Sequence, residues 1–210
     1  MGKKILEDGI PAGNWENKYN SKNPIVNYLM NNFKKSILKL LEDKLGEINS
    51  FSECGCGEGE ITRYIYEMFG GNIKTKAFDF SEKVVEIAKK NNSETAIKFE
   101  QISIYDMDDS YSSDLIVCCE VLEHLEHPER ALQKMRSLQG KYYLFSVPNE
   151  PIWRVLNFCR GKYIKNFGNT PGHINHWSTK SFQKLIKDNG FKIIEINNPF
   201  PWNMLLAEVV

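Results

Sequence analysis

Residues 50–59 read Ser-Phe-Ser-Glu-Cys-Gly-Cys-Gly-Glu-Gly, and the fold turns on how they are read. Ile48 to Glu53 is a short strand candidate that runs directly into glycines. An amphipathic helix follows from Gly59 to about Phe69, with Ile61, Tyr64, Ile65 and Met68 at helical spacing. Glycines between a strand and a helix permit positive φ and let a ligand approach the backbone closely. The next acidic strand end is Asp79, about 20 residues on, where a ribose diol is gripped in nucleotide folds. A dinucleotide fingerprint needs a third glycine where Glu60 stands, and no Lys-Ser/Thr follows to make a phosphate loop. Glu53 at the mouth would repel a pyrophosphate and suit a cation. The loop therefore favours a nucleoside with a cationic tail, against a tight turn with incidental glycines.

Working outward, short apolar runs alternate with amphipathic segments. Pro24 to Leu45 reads as a helix upstream of the loop. Downstream, strands are expected at Lys74–Phe78, Ile97–Ser103, Asp114–Cys119 and Lys141–Val147. Helices begin after Ser81, at Pro128 and after Ser178, each with a residue suited to a helix start. Phe191–Ile196 and Met204–Val210 close the chain as strands. This alternation predicts an α/β sandwich of three layers, a mostly parallel sheet with helices on both faces. Only the turn Asn197–Trp202 joins the last two strands, too short for a parallel crossover, so the final strand should run antiparallel. Residues 149–177 form a long connection of the kind that makes lids and binding elements.

The chain has 210 residues with 27 Lys+Arg against 27 Asp+Glu, and a hydrophobic share of 41%. That length predicts one domain able to bury its own core, and the composition excludes global disorder. Zero formal net charge gives no electrostatic pull toward nucleic acid or an anionic membrane. The five cysteines form no obvious disulfide framework, and no apolar run approaches a membrane span. A cytoplasmic protein is expected, with no membrane contact and its oligomeric state left open.

Five motifs stand in order: ECGCGEG at 53–59, FDFS at 78–81, DLIVCCEVLEHLEHPERAL at 114–132, SVPN at 146–149 and GHINHWSTKSF at 172–182. With them the chain resembles the class I S-adenosylmethionine-dependent methyltransferases over nearly its whole length. The resemblance implies a Rossmann-like seven-stranded sheet of order 3-2-1-4-5-7-6 with strand 7 antiparallel. It implies one domain over 1–210, with residues 1–47 as an N-terminal helical cap and 149–177 as an insertion or lid. It implies S-adenosylmethionine as cofactor, with Glu53, Gly55 and Gly57 lining its methionine part. Asp79 would accept the ribose hydroxyls, Phe80 would flank the adenine, and Ser103 and Ile104 would meet the ring. The family commonly has Asp where Ser103 stands. The Cys119 carbonyl would receive the cofactor's amino group, and Tyr19 in the cap would close over it.

Glu120, Glu123, His124 and His127 are spaced so that a helical continuation would bring all four to one face, and His173 and His176 arrive from the insertion. Carboxylates with imidazoles can bind a divalent metal. The cluster resembles the Glu-x-x-Glu-His element of two metal-dependent branches, the small-RNA 2′-O-methyltransferases and the ubiquinone-pathway O-methyltransferases. A metal-free reading makes His124 and His176 the candidate catalytic bases, with His173 behind them, and the bland one makes all of them structural. Trp153, Phe158, Tyr163, Phe167 and Trp177 make the insertion aromatic, suited to a ring-bearing acceptor or simply to packing. The vicinal pair Cys118-Cys119 reads as small residues on a buried strand. Transfer of a methyl group to an oxygen or nitrogen of a small molecule is the expected function. A metal-assisted enzyme acting on RNA 3′ ends and a non-catalytic S-adenosylmethionine-binding module are the alternatives.

Overall fold

The computed structural model describes residues 6–7, 10–11, 23–159, 169–170 and 172–210. Seven strands form the central sheet: β1 (Ser50–Cys54), β2 (Lys74–Asp79), β3 (Lys98–Gln101), β4 (Leu115–Cys119), β5 (Tyr142–Pro148), β6 (Phe191–Ile196) and β7 (Trp202–Val209). Their order is β3-β2-β1-β4-β5-β7-β6, as expected. The first five strands pair in parallel, and β7 runs antiparallel to both β5 and β6. The short Asn197–Trp202 link thus reverses the chain as its length demands. A separate two-stranded antiparallel pair joins Leu6–Glu7 to Ile10–Pro11.

Six helices are described: α1 (Pro24–Leu41), α2 (Glu60–Met68), α3 (Glu82–Asn91), α4 (Pro128–Ser137), α5 (Glu150–Cys159) and α6 (Thr179–Asp188). Helix α1 starts with Pro24 in its first turn and the Asn23 side chain accepting the Ile25 amide. It stops at Leu41 and tightens into a 3-10 turn over Glu42–Glu47, four residues before the expected end. Its buried face carries Met30, Phe33, Ile37, Leu40 and Leu41, whereas Ile25 is exposed.

Alternation along β4 shows why the sheet needs cover on both sides. Leu115, Val117 and Cys119 pack against α1 and α2 on one face. Ile116 and Cys118 enter the other core with Ala131, Leu132 and Met135 of α4 and Phe182 and Ile186 of α6. Burial pushes the thiols of Cys118 and Cys119 well above their ordinary range, so both are neutral packing groups. Parallel strands aligned in register bring the ends of β1, β2 and β4 to one edge, followed there by the glycine loop, Asp79 and the turn after Cys119.

The α6 start is a capping box in which Ser178 and Ser181 satisfy each other's backbone amides. Ser178→Ala should cost about 1 kcal/mol, read as a melting temperature lower by a few degrees. An unchanged melt would show that the cap adds nothing to α6.

Candidate active site

The loop after β1 is held by the chain itself. Gly55 has φ +71, and a Cβ there would lie 2.3 Å from Cγ2 of Val121. A glycine is required by the packing of the neighbouring turn, whatever ligand approaches. Gly59 is similarly closed in, by Asn92 and Phe99. Asp79 accepts the Gly57 amide with Oδ2 at 3.0 Å and the Ser81 amide with Oδ1 at 3.1 Å. One carboxylate therefore joins the loop to the start of α3.

A cavity beside the loop is lined by Glu53, Gly55, Cys56, Cys119 and Glu120, with Phe33 and Ile61 as its apolar wall. Glu53 is 2% exposed and accepts the Thr62 hydroxyl. Burial pushes its carboxyl up to about 8, and Asp79 adds to the rise while Thr62 opposes it. A cation arriving here would restore the charged form. The donor set thus fits a nucleoside with an ammonium and a sulfonium: a carboxylate at the β2 tip for the sugar, and buried acids for the tail.

Of the expected cofactor residues, Glu53, Gly55 and Cys119 meet in this cavity. Gly57 reaches Asp79 one step away, and Phe80 follows, partly exposed, with its carbonyl held by Gln101. Ser103 and Ile104 lie past the end of β3, which is tied to the β2 tip by the Ile102 amide donating to the Asp79 carbonyl. Tyr19 lies outside the described residues, as do Tyr163 and Phe167 of the insertion.

The acid-histidine cluster divides in two. Glu120 has φ +61, a left-handed conformation uncommon for a residue with a Cβ. That turn ends the regular path, and only a short 3-10 turn over Leu122–His124 follows. The Glu120 carboxylate turns to Trp202 and Ser146, accepting the indole Nε1–H at 2.6 Å and the hydroxyl at 3.3 Å. His127 moves to the N-cap position of α4. Glu123 and His124 instead meet His173, and a ligand atom from each lies within 4.8 Å of the others. His124 Nδ1 is 2.8 Å from the Gly172 carbonyl, so that nitrogen donates. The His124 and His173 rings meet edge-on at 4.9 Å. His176 approaches through Glu150, its Nδ1 3.7 Å from Oε2.

Glu150 was passed over in the sequence because helix α5 was hidden inside the long connection. The signal was there: Ile152, Leu156 and Cys159 recur at helical spacing after Pro151. Helix α5 carries Trp153, which packs on Trp202 and donates to Thr170.

A family model described as a methyltransferase domain matches residues 27–196. Among solved structures, magnesium protoporphyrin IX methyltransferase from Synechocystis PCC 6803 with bound SAH is similar at TM-score 0.70 and 16% identity, covering 93% of each chain. The pyocyanin biosynthetic protein PhzM follows at TM-score 0.69 and 18% identity, covering 91% of this chain and 61% of its own. The methyltransferase domain of a bacterial CtHen1 is similar at TM-score 0.65 and 21% identity, covering 86% of this chain and 100% of its own. At such identities the likeness speaks for the fold. A search of curated proteins finds no match.

The buried Glu53 carboxyl makes stability depend on pH. Its value is raised from 4.5 to about 8 on folding, so across that window the folded chain keeps a proton the unfolded chain has released. Stability should fall as pH rises through it. Urea melts of Glu53→Gln should show a flatter dependence than wild type, and equal slopes would overturn the assignment.

Proposed function

The chain belongs to the methyltransferase-domain family and is an S-adenosylmethionine-dependent methyltransferase; on that premise we propose that its acceptor is an oxygen or nitrogen of a small molecule. When bound, S-adenosylmethionine supplies an electrophilic methyl group on a sulfonium centre. The observation that carries the cofactor assignment is the Asp79 carboxylate, fixed at the β2 tip by two backbone amides. Glu53, Gly55, Gly57 and Cys119 hold the methionine end of the cofactor in this reading, with Phe80, Ser103 and Ile104 at the base. Methyl transfer to a lone pair is an in-line displacement, so alignment and exclusion of water contribute most.

In this reading the acceptor meets the apolar wall of Phe33 and Ile61, and behind it Phe33 packs on Trp202 and Trp202 on Trp153, with ring centroids 5.1 and 5.6 Å apart. Such a wall suits an apolar or ring-bearing molecule. His124 is the base of this reading, because its bond to Gly172 leaves Nε2 with the lone pair. His176 is the second candidate, with a side chain 34% exposed. A cytoplasmic setting belongs to the same proposal. It is supported by the free thiols of Cys54, Cys56, Cys118 and Cys119. No described helix is long and apolar enough to cross a membrane.

One observation favours a second reading, in which a divalent cation assists. Glu123, His124 and His173 would hold it, while Glu120, expected in the set, is engaged by Trp202. Two imidazoles and one carboxylate suit Mn²⁺, Fe²⁺ or Zn²⁺ better than Mg²⁺, which prefers oxygen ligands. An RNA end as acceptor gains no support from the equal numbers of acidic and basic residues.

Asp79→Ala should weaken S-adenosylmethionine binding by about 1–3 kcal/mol in calorimetry, and unchanged affinity would sink the cofactor assignment. For the second reading, Mn²⁺ at a hundredfold excess over its Kd should stabilise the chain by about 2.7 kcal/mol. Glu123→Ala should abolish that gain, and an equal gain in the variant would exclude the site.

A further inference from the structure

Glu150 opens α5 with its side chain turned inward, 2% exposed. Its Oε1 lies 2.5 Å from Nδ1 of His173. Its Oε2 has no hydrogen-bond partner among the described residues, and the nearest histidine nitrogen, Nδ1 of His176, stands off at 3.7 Å. The ion-pair partners of Glu150 among the described residues are these two histidines, with no Lys or Arg. A buried carboxylate costs several kcal/mol in lost hydration unless charge or hydrogen bonds offset it. A second carboxylate, Glu123, is 1% exposed and belongs to the cluster with His124 and His173.

The hydrogen bonds around the two rings decide which nitrogens are left over. A carbonyl and a carboxylate only accept, so Gly172 and Glu150 each take an Nδ1–H. In both rings Nε2 is then the nitrogen that would face an ion, and that of His124 lies 3.8 Å from Oε1 of Glu123. The amides of Ile174 and Asn175 both donate to the Glu123 carbonyl, which fixes the segment bearing His173 against the turn bearing His124. Imidazoles that bind metal have this arrangement, with the other ring nitrogen anchored to a carboxylate or carbonyl.

We propose that Glu150 is the positioning residue of a divalent-cation site formed by Glu123, His124 and His173. Glu150 does not touch the cation. It holds the tautomer and ring orientation of His173. The proposal rests on the second functional reading above and adds to it a residue outside the ligand set. His176 lies beyond Glu150 and is not a ligand.

Calorimetry of the full chain with MnCl₂ tests it. Glu150→Gln, which keeps the shape and removes the charge, should lower Mn²⁺ affinity 10–100-fold. Glu150→Asp, which keeps the charge, should recover part of the loss. Long-range proton–nitrogen NMR should read His173 as the Nδ1–H tautomer in wild type and as a mixture in Glu150→Leu. Melts without metal should not fall in Glu150→Gln, since a purely structural carboxylate would lower them and leave ion affinity alone. Equal Mn²⁺ affinity in wild type and Glu150→Gln overturns the proposal by itself. No Mn²⁺ binding by wild type overturns both it and the cation reading, while S-adenosylmethionine binding in the same samples still reports on the methyltransferase assignment.

Discussion

Asp79 accepts the Gly57 amide with one oxygen and the Ser81 amide with the other, and the working edge of the molecule is organised around that carboxylate. Through Gly57 it sets the glycine loop, and through Ser81 it sets the start of α3, whose Val84 amide Ser81 caps in turn. The loop then packs Gly55 against Val121 of the turn after β4, so closely that a Cβ at 55 would clash with it. That turn carries Glu123 and His124. A charge at the tip of one strand thereby reaches the far end of the site through backbone and packing.

Four acids are buried along this edge of a chain with no net charge, and each is accommodated differently. Glu53, its carboxyl pushed up by burial, accepts a threonine hydroxyl. Glu120 takes an indole N–H and a serine hydroxyl. Glu150 faces imidazoles, and Glu123 lies with His124 and His173. Buried acids of this kind weaken a fold unless ligands complete them, which is the usual trade at a functional site.

The strand order and the reversed last strand were legible because they follow from periodicity and from the length of one turn, Asn197–Trp202. The positions expected to meet the cofactor could be placed at strand ends, because there local sequence decides position. Glu120 was misplaced because its backbone adopts φ +61, and a spacing argument assumes a regular helix. Glu150 was missed since its partners lie 23 and 26 residues away, and no local pattern links a carboxylate at 150 to imidazoles at 173 and 176. Long-range pairings of this sort are made by tertiary packing alone.

The two outer strands of the sheet also bear on how the protein behaves at high concentration. Strand β3 is only four residues long and carries Lys98 and Glu100, while β6 carries Lys192 and Glu195 and is broken by a register shift between Ile193 and Glu195. Short, charged or bulged edges are poor templates for another strand. A largely parallel sheet forms slowly and exposes its edges while doing so. These two strands therefore protect the chain from adding to its own copies during folding, a task separate from anything at the opposite, ligand-binding ends of the strands.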